Sequence, residues 1–130
     1  MKMQWDVFEG KQHRASARTE PRVTLGAKGT FYLNGAAYEA LRSPAAVEMM
    51  YDSNERVIGI KPIDPQRRNA FVVKHHGSGG SYKRISAAAF CRHFRIDTRD
   101  TVLFEEPDLD NDGVMRLDRA RTIRVTRGAR

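Results

Sequence analysis

The string Asp108-Leu-Asp110-Asn-Asp112-Gly113 is the segment whose side chains most resemble a chemical device, since carboxylates two apart followed by glycine open a calcium-binding loop. Its twelfth position, where a bidentate glutamate completes the oxygen shell, is Arg119, and the flanks read as strands rather than helices. An Asp-Gly pair between strands is also the mark of a tight hairpin, so a plain turn is expected. His75, His76, Cys91 and His93 are potential zinc donors. Cys91 and His93 stand two apart in a helical stretch, so their side chains diverge by about 200°, and adjacent histidines in a glycine-rich loop read as solvated. No metal and no cofactor is expected. The run from Gly77 to Lys83 has the composition of a phosphate loop, but it lacks the Gly-Lys-Ser/Thr ending and leads into a strand, so no helix start would face a phosphate. Cys91 lies among Ala89, Phe90 and Phe94, where a buried packing thiol is the default, and no serine sits in a nucleophile elbow. The chain reads as a binding module and not as an enzyme.

The cations carry more information. The net charge is +7, with 17 arginines to 6 lysines. Residues 65–99 hold eight basic groups against one acidic, residues 100–118 one against seven, and residues 119–130 five against none. A segregated charge of this kind makes a polar surface field that attracts polyanions, unless the blocks fold onto one another and pair. The residues expected to meet nucleic acid, mainly through its phosphates, are Arg22, Lys28, Arg67, Arg68, Lys74, Lys83, Arg84, Arg92, Arg95, Arg121 and Arg124. In a strand, Lys83 and Arg84 must point to opposite faces, with Ile85 on the side of Lys83.

The elements that would position these groups follow from the hydrophobic period. Val23 and Leu25 alternate with Thr24, a glycine-bounded turn covers 26–29, and 30–33 resumes a strand, which is a hairpin pattern. Asn34 stands at a helix N-cap, and Ala36 to Leu41 form a short helix ended by Ser43-Pro44. Strands at 47–51 and 56–60 follow. The second half repeats the order, with strands at 70–74 and 82–85, Ser86 as N-cap, a helix over 87–94, a strand at 101–104, a turn at 108–113 and a return strand at 114–117. Leu33-Asn34-Gly-Ala-Ala-Tyr38 matches Ile85-Ser86-Ala-Ala-Ala-Phe90 at an offset of 52. Helices this short need packing to persist, with Tyr38, Leu41, Phe90 and Phe94 as the expected anchors.

The unit of Lys28-Gly29-Thr-Phe-Tyr-Leu33, a short helix ending at Leu41 and a closing hairpin over 47–60 resembles the AbrB-type swapped-hairpin DNA-binding domain, with Lys83-Arg84-Ile85 in the matching strand of the second copy. Two copies in one chain resemble the MraZ-type arrangement. Where that family carries proline after the apolar strand residue, this chain has Asn34 and Ser86, and where it carries a helix arginine, Tyr38 and Phe90. The resemblance implies a mainly β (α+β) fold of internally duplicated β-β-α-β-β units, forming a pseudo-twofold β-barrel with two short helices over residues 22–118. Repeat one is 22–62 and repeat two 69–118, between a basic N-terminal segment (1–21) and a basic tail (119–130). It implies a DNA-binding, transcription-regulator-like protein whose partner is double-stranded DNA, with a homodimer allowed. The alternative is a protein–protein module, antitoxin-like or a phage-associated adaptor, using Met49, Met50 and Tyr51 or the acidic block. A third reading, an RNA or single-strand binder, uses exposed Phe31 and Tyr32 as the stacking platform. One cysteine, no long apolar run and no signal-peptide pattern lead to the expectation of a cytoplasmic protein away from membranes.

Overall fold

In the computed structural model, which describes residues 20–77 and 82–125, alternating apolar residues close a single core from one side. The elements are β1 (Val23–Leu25), β2 (Thr30–Leu33), α1 (Gly35–Ala40), β3 (Ala46–Asp52), β4 (Val57–Pro62), β5 (Phe71–His75), β6 (Lys83–Ser86), α2 (Ala88–His93), β7 (Val102–Phe104), β8 (Asp108–Leu109), β9 (Met115–Asp118) and β10 (Thr122–Arg124). All ladders are antiparallel, and they join ten strands in the order β10-β7-β1-β2-β6-β5-β3-β4-β9-β8, a mainly β sheet curled into a half-barrel. No helix among the described residues is long and apolar enough to cross a membrane.

The inner face follows the period of two. Val23 and Leu25 point in while Thr24 points out, and Phe31 and Leu33 point in while Thr30 and Tyr32 point out. Val47, Met49, Ile58, Ile60, Ile85, Phe104, Met115 and Leu117 are the other large buried side chains of the strands, each contributing about 1.5–3 kcal/mol on leaving water if fully covered. The helices cover the open side with Ala37 and Leu41 from α1 and with Phe90 and Cys91 from α2. Of the four expected anchors, Leu41 and Phe90 are buried and Tyr38 is half-buried. Phe94 remains 38% exposed, its ring set against Phe90 at 5.2 Å and Tyr51 at 5.4 Å.

Asn34 is the one buried polar side chain among the described residues. Its Oδ1 accepts from the backbone of Ala37 and of Arg22, each at 2.9 Å, and its Nδ2 donates to the Glu20 carbonyl at 2.8 Å. The cap therefore also ties the first helix to the chain entering β1. The expectation that Ser86 caps the second helix is corrected. Ser86 is the exposed end of β6, paired with Thr30, and the cap position falls on Ala87, which makes no side-chain cap bond. Its backbone N–H donates instead to the Gly29 carbonyl at 2.9 Å, so the ladder runs one residue further than the sequence match implies.

A second correction concerns the return strand after β7. The segment 115–118 is indeed a strand, but it pairs with β8 and β4, while β7 lies between β1 and β10. The sheet thus extends past residue 118, where the basic tail was expected to begin, as Thr122–Arg124 pair with β7. The turn at Asp110 to Gly113 is built by the Asp110 side chain, whose Oδ1 accepts from the backbone of Asp112 and Val114.

Gly29 and Gly113 both adopt left-handed φ values, +84° and +83°. A Cβ on Gly29 would lie 2.7 Å from the Cα of Ala88, whereas one on Gly113 would meet nothing within 4 Å. Thermal or urea unfolding should find Gly113→Ala down by about 1 kcal/mol and Gly29→Ala by roughly 3 kcal/mol or more, since only the latter adds a backbone clash to the left-handed cost. Equal losses at the two sites would show that α2 does not rest on the β1–β2 turn. Asn34→Ala should lose about 2–3 kcal/mol by the same measurement, the cap together with a second stranded backbone amide.

Candidate nucleic-acid interface

Two clefts flank the β1–β2 turn. The first, of about 210 Å³, is lined by Lys28 and Gly29 of the turn, by Ala88, Cys91 and Arg92 of α2, and by Arg95, Ile96 and Thr98 beyond it. Lys28 and Arg92 lie 64 positions apart in the chain, and the close approach of Gly29 to Ala88 is what brings them together. No carboxylate lines this cleft, and among the described residues no ion pair involves Lys28, Arg92 or Arg95. Arg95 holds a left-handed backbone, φ +55°, at the exit of α2, where the Ile96 N–H closes the helix on the Cys91 carbonyl at 2.8 Å. A glycine would take that conformation without the side-chain penalty.

The second cleft, of about 580 Å³, lies on the other side of the same turn and is lined by Thr24, Gly26, Ala27, Tyr32, His76, Tyr82, Thr101 and Val125. Tyr32 meets the His76 ring edge-on at 4.7 Å. Across β2–β6 Tyr32 is directly opposite Arg84, and across β6–β5 Arg84 is directly opposite Lys74. Directly paired residues share a face, so an aromatic ring and two cations form a row on the outer side of the sheet. The Arg84 guanidinium donates to the His75 carbonyl at 2.7 Å, which fixes its position beside Tyr32.

The other expected contacts are scattered. Lys83 points to the opposite face from Arg84, with its Nζ 5.0 Å from the Tyr38 ring centre and 3.1 Å from His75 Nδ1. Arg22 is exposed at the entry to β1, and Arg67 and Arg68 are exposed in the turn after β4. Arg121 pairs with Glu106 at 3.2 Å and Arg124 with Asp100 at 3.6 Å, so part of the basic tail faces the acidic block. Arg99 donates to Asp97, and that contact, with a backbone hydrogen bond from Arg99, holds the Asp97 carboxyl well below the usual carboxylate range.

Some expected contact surfaces lie inside. Phe31 is wholly buried and stacks on Phe104 at 6.5 Å, so it offers no platform to a strand of nucleic acid. Met49 is in the core, and Tyr51 is half-buried with its hydroxyl accepting from Arg119 at 2.9 Å. Sequence reasoning missed Tyr82 and His76 as partners of Tyr32, although the polar, aromatic outward positions on either side of the glycine-rich loop were a usable signal.

No protein-family model, curated protein or solved structure matches the chain.

Cys91, at the floor of the basic cleft, is 3% exposed. Burial pushes its thiol up, and nearby Arg119 offsets this only in part. A folded pKa above the unfolded one means that the buried thiol favours folding below its ordinary pKa and loses that contribution as the pH rises through the folded value. An aromatic disulfide reagent at pH 8 should therefore modify Cys91 at least about tenfold more slowly in the native protein than in denaturant. Equal rates would place the thiol outside the core.

Proposed function

We propose that this chain is a nucleic-acid-binding, transcription-regulator-like module that grips the phosphate backbone of duplex DNA through the basic cleft of Lys28, Arg92 and Arg95. The observation that carries this reading is the convergence of three cations, one from the β1–β2 turn and two from α2 and its exit, on one cleft with no lining carboxylate. Cations gathered without local acidic partners repel one another, an arrangement with little structural merit unless a polyanion neutralises it. Lys74 and Arg84, in a row with Tyr32 on the outer side of the sheet, supply two further cations on the other side of the turn.

The reading includes an internal duplication of the AbrB/MraZ kind, and several features support it. Around the central β2–β6 pair, β1 and β5 are the outer neighbours, followed by β7 on one side and β3 on the other, so each half receives the strand that follows the other half's helix. The helices have parallel boundaries, with caps at Asn34 and Ala87, left-handed exits at Arg42 and Arg95, and closing bonds from Ser43 to Tyr38 and from Ile96 to Cys91. In this scheme β10 answers β4, and the β8–β9 hairpin is an addition to the second unit.

Fluorescence anisotropy with labelled duplex DNA tests the proposal. Binding at about 50 mM salt should weaken by roughly five-hundredfold at about 200 mM, as expected for some five phosphate contacts. Arg92→Ala and Lys28→Ala should each lower the salt slope by about 0.9. Arg95→Gly should raise the melting temperature by relieving the left-handed backbone while weakening binding, which separates the ligand-binding role from a structural one. Absence of duplex binding at low salt, or an unchanged slope in Arg92→Ala, would end this reading.

A further inference from the structure

The aromatic cleft beside the turn has no part in phosphate contact. Its walls are the rings of Tyr32, His76 and Tyr82, the flat backbone at Gly26, and the side chains of Thr24 and Thr101. Tyr82 is 41% exposed, large for a ring with no role in the core. The Tyr32 ring is held in place from below, since a Cβ on Gly26 would lie 3.1 Å from its Cε2, and from the side by His76. A ring held in this way loses little freedom when a ligand stacks on it.

We infer that this cleft is a stacking slot for an unpaired nucleobase, so that the protein prefers nucleic acid with a single-stranded segment next to the phosphates it holds. This rests on the phosphate-binding reading and specifies the ligand. The charge around the slot decides the occupant. Arg84 stands one strand spacing from Tyr32, about 4.8 Å, and Lys74 one spacing further, while no carboxylate lines the cleft. A base on Tyr32 and its own phosphate on Arg84 can thus be engaged together, and the backbone can continue across the Gly26–Gly29 turn towards Lys28 and Arg92. An apolar peptide side chain would fill the cleft without using these cations. Thr24 and Thr101 offer hydroxyls to a base edge, but nothing in the lining selects one base over another.

The test compares three labelled probes of equal length at low salt: an oligothymidylate, the same sugar-phosphate strand without bases, and a duplex. The base-bearing strand should bind about tenfold or more tightly than the abasic one, the scale of stacking one or two bases. Tyr82→Ala and Tyr32→Leu should remove that preference while leaving duplex affinity and its salt slope as in the parent protein. Arg92→Ala should weaken all three probes. Tyr82 is exposed, so its variant keeps the test available even where Tyr32→Leu disturbs folding. Equal binding of base-bearing and abasic strands would overturn the slot and leave phosphate binding standing. Loss of binding to all three probes would overturn both.

Discussion

The ladder between β2 and β6 is the contact on which the rest of this molecule depends. It pairs Phe31 with Ile85 on the inner face and Tyr32 with Arg84 on the outer one, joining segments more than fifty residues apart. Burial of the inner pair drives the association, and the direct opposition of the outer pair follows as a geometric consequence. The same ladder continues into the bond from Ala87 to the Gly29 carbonyl, which seats the start of α2 on the β1–β2 turn and brings Arg92 within one cleft of Lys28. Core, basic cleft and aromatic cleft thus share one origin. A slip of one residue in this register would exchange the faces of every side chain in the strand, sending Phe31 outward and Tyr32 into the core.

The two helices show how one local architecture can be held by different means. Asn34 satisfies two backbone amides and one carbonyl from inside the core, whereas Ala87 offers no such side chain and its backbone is held by the strand ladder instead. Neither six-residue helix would persist alone. Their C-terminal exits agree more closely, both closing over an arginine in the left-handed region. After α1 that residue is Arg42, and after α2 it is Arg95, which lines the basic cleft.

The electrostatics combine both arrangements open to a segregated sequence. Arg121 and Arg124 turn back on Glu106 and Asp100, and these exposed pairs are each worth about 0–1 kcal/mol. The cluster of Lys28, Arg92 and Arg95 has no such compensation among the described residues. Total charge therefore says less about binding than the local absence of carboxylates.

Much of the architecture was legible in the residues. Alternation at Val23 and Leu25 about Thr24 marked an inward and an outward side, and Asn34 announced its cap, because such signals depend on neighbours within a few residues, whereas Phe31, offered as an exposed platform, lies in the core. The opposite facing of Lys83 and Arg84 followed from the strand period alone. The sequence could not show that 115–118 joins β4 while 122–124 joins β7, since both segments are β-forming and the choice depends on which long-range pairing buries more of the shared core. The cap after β6 was displaced from Ser86 to Ala87 for a related reason, a ladder partner supplied by a distant turn. By itself, then, the sequence determined that short alternating strands flank two short helices, and it placed the cap of the first of them at Asn34. Tertiary structure alone decided which cations stand together, because that placement depends on contacts between segments whose separation along the chain carries no local signal.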